Sequence, residues 1–122
     1  MTVLRLRDGE RWSTGAPSWS ALSAAGWFRL SAAGYRFDRH FHDCAEYWAI
    51  SEGRAQVAVG DDVFDVGPGD LVCTPAATEH DIVVTYTDEL VLLFIEEAVP
   101  PGGKPGHQHR DPPAAWHPVP RA

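Results

Sequence analysis

This chain has little of what most function classes require. Only two of its 122 residues are cysteine, Cys44 and Cys73. Two cysteines make no disulfide framework, and no C-x-x-C pair is present, so both are expected as free thiols in a reducing cytosol. No apolar run approaches the roughly 18 residues that a membrane-spanning helix needs. The opening MTVLRLRDGERW lacks an apolar h-region, so no secretion signal is expected and a cytoplasmic location is. Basic residues are scarce, with 10 Lys and Arg against 17 Asp and Glu and a net charge of −7. Such a chain has no electrostatic footprint for DNA or RNA and is a poor match to anionic membranes. There is no G-x-S-x-G elbow and no Gly-rich phosphate loop ending in Lys and Ser or Thr. No segment sustains a capped 3.6-residue period.

What is present is a chain of short strands. A hydrophobic content of 44% and five Trp exclude a disordered polymer. The length suits one domain with a real core. Strand-like runs fall at 36–42, 46–51, 55–59, 62–66, 70–73, 80–85 and 90–96. The turns between them are Ser51-Glu52-Gly53, Gly60-Asp61 and Gly67-Pro68-Gly69. Trp27 to Leu30 opens the series, and TVLRLR at 2–7 alternates as a further strand. This spacing predicts an all-β sandwich or small barrel. The single domain, 1–122, divides into an arm at 1–26, a core at about 27–97 and a tail at 98–122. The stretch from Pro100 onward holds seven of the ten prolines. It is expected either to be disordered or to lie as a strap over the barrel.

One stretch carries the chemistry. In GYRFDRHFHDCAEYWAISEG, residues Gly34, His40, His42, Glu46 and Gly53 stand as G-x5-H-x-H-x3-E-x6-G. Imidazoles at i and i+2 share one face of an extended strand. The carboxylate returns beside them if the chain reverses at Asp43-Cys44-Ala45. Two His and one Glu on one face make most of a site for a divalent transition metal. GDLVCTPAATEH adds His80 as a possible fourth ligand.

These two segments resemble the two motifs of the cupin superfamily. The first family motif is met at every position. The second, G-x5-P-x-G-x2-H-x3-N, is met at Gly69, Pro75 and His80 and departs at Ala77 and Val84. The resemblance covers residues 34–84 and implies a conserved cupin β-barrel, or jelly roll. It also implies one divalent metal (Fe, Mn, Ni, Zn, Co or Cu) on His40, His42, Glu46 and His80. Four protein ligands leave open coordination positions, the mark of a catalytic centre. Similar three-His-one-Glu cupins include many dioxygenases, so an O2-dependent oxidoreductase ranks first. Non-redox Lewis-acid chemistry (isomerase, cyclase, lyase or condensation) is the alternative, with Glu46 as catalytic base. A non-catalytic ligand-binding cupin is the third reading.

Strand parity supplies further expectations. If His40, His42 and Glu46 face inward, so do Trp48 and Ile50. If His80 does, Ile82, Val84 and Tyr86 follow. Arg36 and Asp38 share the parity of His40 and are expected to bind a small-molecule substrate at the entrance, with Trp48 and Tyr86 shaping its pocket. Glu79 and Asp81 flank His80 and point away. Phe37 and Phe41 take the outward parity, an apolar face for a homodimer formed by sheet extension. His107 and His109 repeat H-x-H in the tail without a nearby carboxylate. They read as solvated coil, or alternatively as part of a flap over the barrel mouth.

Overall fold

Ten strands form among the residues that the computed structural model describes (3, 5–6, 11–12, 18–33, 36–111 and 117–122), the longer ones mostly rich in β-branched and aromatic residues. These are β1 (Arg11–Trp12), β2 (Leu22–Ser31), β3 (Arg36–Phe37), β4 (Glu46–Glu52) and β5 (Ala55–Val59). They continue with β6 (Asp62–Val66), β7 (Leu71–Thr74), β8 (His80–Thr85), β9 (Glu89–Glu97) and β10 (His117–Pro118). One sheet runs β1-β2-β9-β4-β7, a second runs β6-β5-β8, and β10 pairs with β3. All strand pairs are antiparallel. The fold is the all-β cupin jelly roll that the motifs imply.

The core lies between the two larger sheets. Leu30, Ile50, Leu90 and Leu92 from one sheet meet Ala55, Val57 and Ile82 from the other, all within the buried cluster. In β4 the buried residues are Glu46, Trp48 and Ile50, while Tyr47 and Ala49 are only partly covered. Burying side chains of this size contributes about 1.5–3 kcal/mol each.

Two turns show why their residues are needed. Gly60 and Asp61 close the β5–β6 hairpin, with Val59 opposite Asp62 and Gly60 at φ +59°. Positive φ at the first central position of a two-residue hairpin calls for Gly. Gly53, the last residue of the first motif, has φ +83°, and an added Cβ would stand 2.0 Å from the Glu89 carbonyl oxygen. Neither the dihedral nor the space admits a side chain.

Several expectations change. β2 begins at Leu22, inside the stretch read as arm, and Ala25 and Leu30 enter the core. Its small, loop-like composition (LSAAG) conceals a strand whose pairing with β9 supplies the order. The alternation read at 2–7 falls partly outside the described residues. Val3, Arg5 and Leu6 lie in no strand, and the Leu6 carbonyl accepts from the Trp27 indole at 3.0 Å. Phe37 is not outward: it is 6% exposed and packs against Phe28 and Trp48. Regular strand ends at Phe37, and the alternation breaks there: Phe37 and Asp38 are both buried, after which Asp38, His40 and His42 keep one inward face. Phe41 is half-buried, with the Arg110 guanidinium 4.8 Å over its ring. Neither Phe is open for a sheet-extension interface. The tail does pair: Phe41 and Gln108 exchange two backbone hydrogen bonds of 2.9 Å, and the Thr85 amide donates to Pro120.

Candidate metal centre

The site forms where three chain segments meet at one end of the barrel. Glu46 is the first residue of β4 and His80 the first of β8. His40 reaches His80 through a backbone bridge, the His80 amide donating to the His40 carbonyl at 2.9 Å. The bend at Asp43-Cys44 carries the chain from His42 to Glu46. His42 is held in turn by the Ala77 amide, which donates to its carbonyl at 2.7 Å. Ala77 stands where the family motif has Gly and still takes the left-handed conformation, at φ 64°.

His40, His42, Glu46 and His80 are all buried, at 4%, 4%, 6% and 1% exposure. One donor atom from each lies within 4.8 Å of all the others. The Nε2 atoms of His40 and His42 face one another at 3.0 Å. Glu46 Oε2 is 2.9 Å from Nε2 of both His42 and His80. Yet Glu46 Oε2 and both ring nitrogens of His80 have no hydrogen-bond partner of acceptable geometry. Buried polar atoms are normally satisfied, and an orphaned cluster of lone pairs asks for a cation. Separations near 3 Å also suit neighbouring donors at right angles about a metal roughly 2.1 Å from each. The residues present therefore fit a divalent metal.

Electrostatics agree with that donor chemistry. Burial lowers the pKa of His40 to about 3, and the nearby His80 and His107 push the same way, so its ring is neutral. Burial also acts to lower His42, but the Glu46 and Glu96 carboxylates outweigh it and the net direction is up. For Glu46, burial would raise the pKa, and His42 and His80 overcome it. The carboxyl is held far below the usual range and is ionised. The Trp48 indole donates to its other oxygen, Oε1, at 3.1 Å, which fixes the carboxylate's orientation.

A cavity of about 150 Å³ opens beside these side chains. Phe28, Phe37, Trp48, Leu92 and Phe94 form its apolar wall, and Asp38, Glu96 and His107 its polar one. Asp38 and Trp48 are thus at the pocket as the sequence implies. Gly34 and the Arg36 side chain lie outside what is described. Tyr86 is not at the pocket: its hydroxyl donates to Asp65 at 2.6 Å on the outer surface. The cause is a bulge. Gln56 pairs with Val84 but Val57 with Ile82, which leaves Val83 as an extra residue in β8. The inward parity of His80 and Ile82 therefore passes to Thr85, which is fully buried, and not to Val84 or Tyr86.

Two groups at the site escape sequence reasoning. Glu96 lies directly across from Glu46 on β9, with Oε1 3.6 Å from His42 Nε2. Its only sequence signal is the acidic end of an otherwise apolar strand. The tail histidines are not solvated coil. His107 stacks on His40, ring centroids 3.6 Å apart, and its Nδ1 is 3.0 Å from Asp38 Oδ2. His109 Nε2 is 2.6 Å from Asp38 Oδ1. Their carboxylate partner was missing locally because it lies 69 and 71 positions back along the chain. Glu79 and Asp81 take no part and lie within 4 Å of Arg39, at 3.6 and 3.8 Å.

The comparisons with known proteins follow this geometry. The Cupin domain family matches residues 26–96. A stretch of 52 residues is 44% identical to an uncharacterized protein of Sinorhizobium fredii, covering 43% of this chain and 24% of that protein. The chain therefore spans only a minor part of that relative's length. A cupin 2 conserved barrel domain protein from Rhodopseudomonas palustris is similar at TM-score 0.61 and 26% identity, over 77% of this chain and 63% of the other. The DMSP lyase of Ruegeria pomeroyi is similar at 0.55 and 28%, over 64% and 39%. Oxalate decarboxylase of Bacillus subtilis, a protein with Mn(II) centres, is similar at 0.54 and 27%, over 62% and 21%. With the family matched across more than half its length and four buried side chains that could hold a metal at the motif positions, this chain belongs to the cupin family.

Proposed function

We propose that the protein is a metal-dependent enzyme acting on a small organic molecule held in the cavity beside His40, His42, Glu46 and His80. The observation that carries this reading is the set of orphaned donor atoms on Glu46 and His80, with Glu46 and His40 in the wall of a mostly apolar pocket. A divalent ion on these residues supplies Lewis acidity toward a substrate oxygen.

Glu96 favours the non-redox class over the oxygen-dependent one that the motif resemblance ranks first. It is a carboxylate in the cavity wall outside the four-residue cluster, placed to take or give a proton on bound substrate. Trp48 and the apolar wall orient the substrate and exclude water. Two of the similar solved structures, a lyase and a decarboxylase, are named for reactions of this broad kind. Oxygen-dependent oxidation remains the second reading, because three imidazoles and a carboxylate also suit a redox metal. Metal analysis of protein purified without added metal, followed by turnover with and without O2, separates them. Activity that persists anaerobically supports the proton-transfer reading, and activity that stops without O2 overturns it.

A homodimer remains part of the proposal but needs a face other than Phe37 and Phe41. Val63, Phe64 and Leu71 are exposed at 53%, 50% and 57% on the outer strands β6 and β7 and offer one. Sedimentation equilibrium decides it, and a monomer at micromolar concentration refutes it.

A further inference from the structure

We infer that the tail carries a second divalent-metal site, in which Asp38, His107 and His109 hold an ion such as Zn2+ that clasps the tail onto the barrel. This site is separate from the four-residue centre and does not depend on the reaction proposed there. His107 and His109 stand in H-x-H spacing, and Asp38 supplies the carboxylate that their own stretch of chain lacks. His107 Nδ1 is 3.0 Å from Asp38 Oδ2, and His109 Nε2 is 2.6 Å from Asp38 Oδ1. One carboxylate therefore has an imidazole nitrogen beside each of its oxygens. Two imidazoles and a carboxylate are a common ligand set for divalent ions of the zinc type. Bonds of about 2.0–2.2 Å to a shared ion put neighbouring donors roughly 3 Å apart, which is the spacing found here. A donor atom from each of Asp38, His40 and His107 also lies within 4.8 Å of the other two. His40 is already committed, because its Nδ1 donates to the Asp38 carbonyl and its Nε2 faces His42. His109 completes the set in its place.

Burial does not order this part of the tail. None of residues 100–111 is buried, and none belongs to the apolar core cluster. Its contacts with the barrel include the paired backbone bonds of Phe41 and Gln108 and the Lys104 amide on Asp43 Oδ2 at 2.7 Å. The Asp38 side chain is only 11% exposed, whereas those of His107 and His109 are 52% and 24% exposed. The barrel thus presents a fixed carboxylate, and the tail brings the imidazoles to it. An ion that binds only when both halves meet adds its binding free energy to docking of the tail. Asp38 and His107 also line the cavity, so the clasp holds one of its walls in place.

The test uses the full chain, stripped with a chelator and titrated with Zn2+ alone. Equilibrium dialysis at micromolar free Zn2+ is expected to show two ions on the wild type and one on His109→Ala. His109 belongs neither to the apolar core cluster nor to the four-residue centre, so the variant keeps the barrel. His42→Ala is expected to lose the inner ion and keep the one on the tail. Hydrogen exchange adds a readout that only a clasp moves, because the Gln108 amide donates to the Phe41 carbonyl at 2.9 Å in the docked tail. With free Zn2+ about tenfold above the dissociation constant of the tail site, that amide should exchange about tenfold more slowly. In His109→Ala the same Zn2+ should leave its rate unchanged. The inference is overturned if His109→Ala binds as many ions as the wild type, or if His42→Ala loses both. A Gln108 rate that the second ion does not slow overturns it as well.

Discussion

Asp38→Asn should loosen the tail segment that covers the site without unfolding the barrel. Asp38 accepts from His107 at 3.0 Å and from His109 at 2.6 Å, one imidazole on each carboxylate oxygen. The amide removes the charge from both contacts and replaces one acceptor oxygen with a donor, which the facing imidazole can meet only by switching tautomer. Hydrogen bonds to a charged group contribute about 1.5–3 kcal/mol when well buried. The His107 side chain is 52% exposed and the His109 side chain 24%. Solvent screening reduces the first to about 0.5 kcal/mol and leaves about 1.5 kcal/mol for the second. Full loss of both contacts, about 2 kcal/mol, sets a ceiling of about 30-fold on the rise in the segment's open population. Hydrogen exchange reads this directly, because the Gln108 amide donates to the Phe41 carbonyl only when the tail is docked. That amide should exchange faster, by up to about 30-fold, while the amides of β4 keep their protection. The Lys104 amide, held separately by Asp43 Oδ2 at 2.7 Å, should respond less. An unchanged rate at Gln108 would refute the latch. Equal acceleration in β4 would show a global loss of stability instead.

Three other outcomes are expected. Ala77→Gly should stabilise the fold by about 0.5–1 kcal/mol, since a left-handed alanine costs about 1–2 kcal/mol and glycine's extra chain entropy returns part of the gain; a lower urea midpoint would refute it. Cys73 is exposed, whereas burial and nearby acidic groups push the Cys44 thiol up to about 11. A thiol reagent at pH 8 should therefore modify one site quickly and the second only on denaturation, and two equally fast sites would contradict the structure. His42→Ala should lower metal occupancy sharply while circular dichroism stays native, because the ring lies at the edge of the centre and outside the apolar core cluster. Wild-type occupancy in that variant would remove His42 from the ligand set.

What could be read from the sequence and what could not divide along a physical line. His40, His42 and Glu46 lie within seven consecutive residues, so local chain geometry alone brings them near one another. Trp48 and Ile50 follow because β4 keeps its period of two throughout. Tyr86 failed because one extra residue, Val83, reverses parity in β8. A bulge has no fixed residue signature, so a parity argument is only as good as the regularity of the strand that carries it. Phe37 failed for the related reason that its strand stops after two residues.

Glu96 and the tail histidines were hidden by a different cause. Each acquires its role from a partner far along the chain: Glu46 for Glu96, and Asp38 for His107 and His109. No spacing rule reaches that far, yet each leaves a trace once the strand order is known. A carboxylate closing the apolar run of β9 must lie beside the first residue of β4 if the two strands pair in register, and they do. A proline-rich tail can still be ordered when its few free amides find carbonyls, as Gln108 does at Phe41. The motif therefore marks the centre of the site, while its outer wall is set by tertiary pairing. On the proposed function, that wall, with Glu96 on a strand and His107 on the tail, is where the choice of substrate would be made, and it touches the four residues beneath it through Glu96 at His42 and His107 at His40.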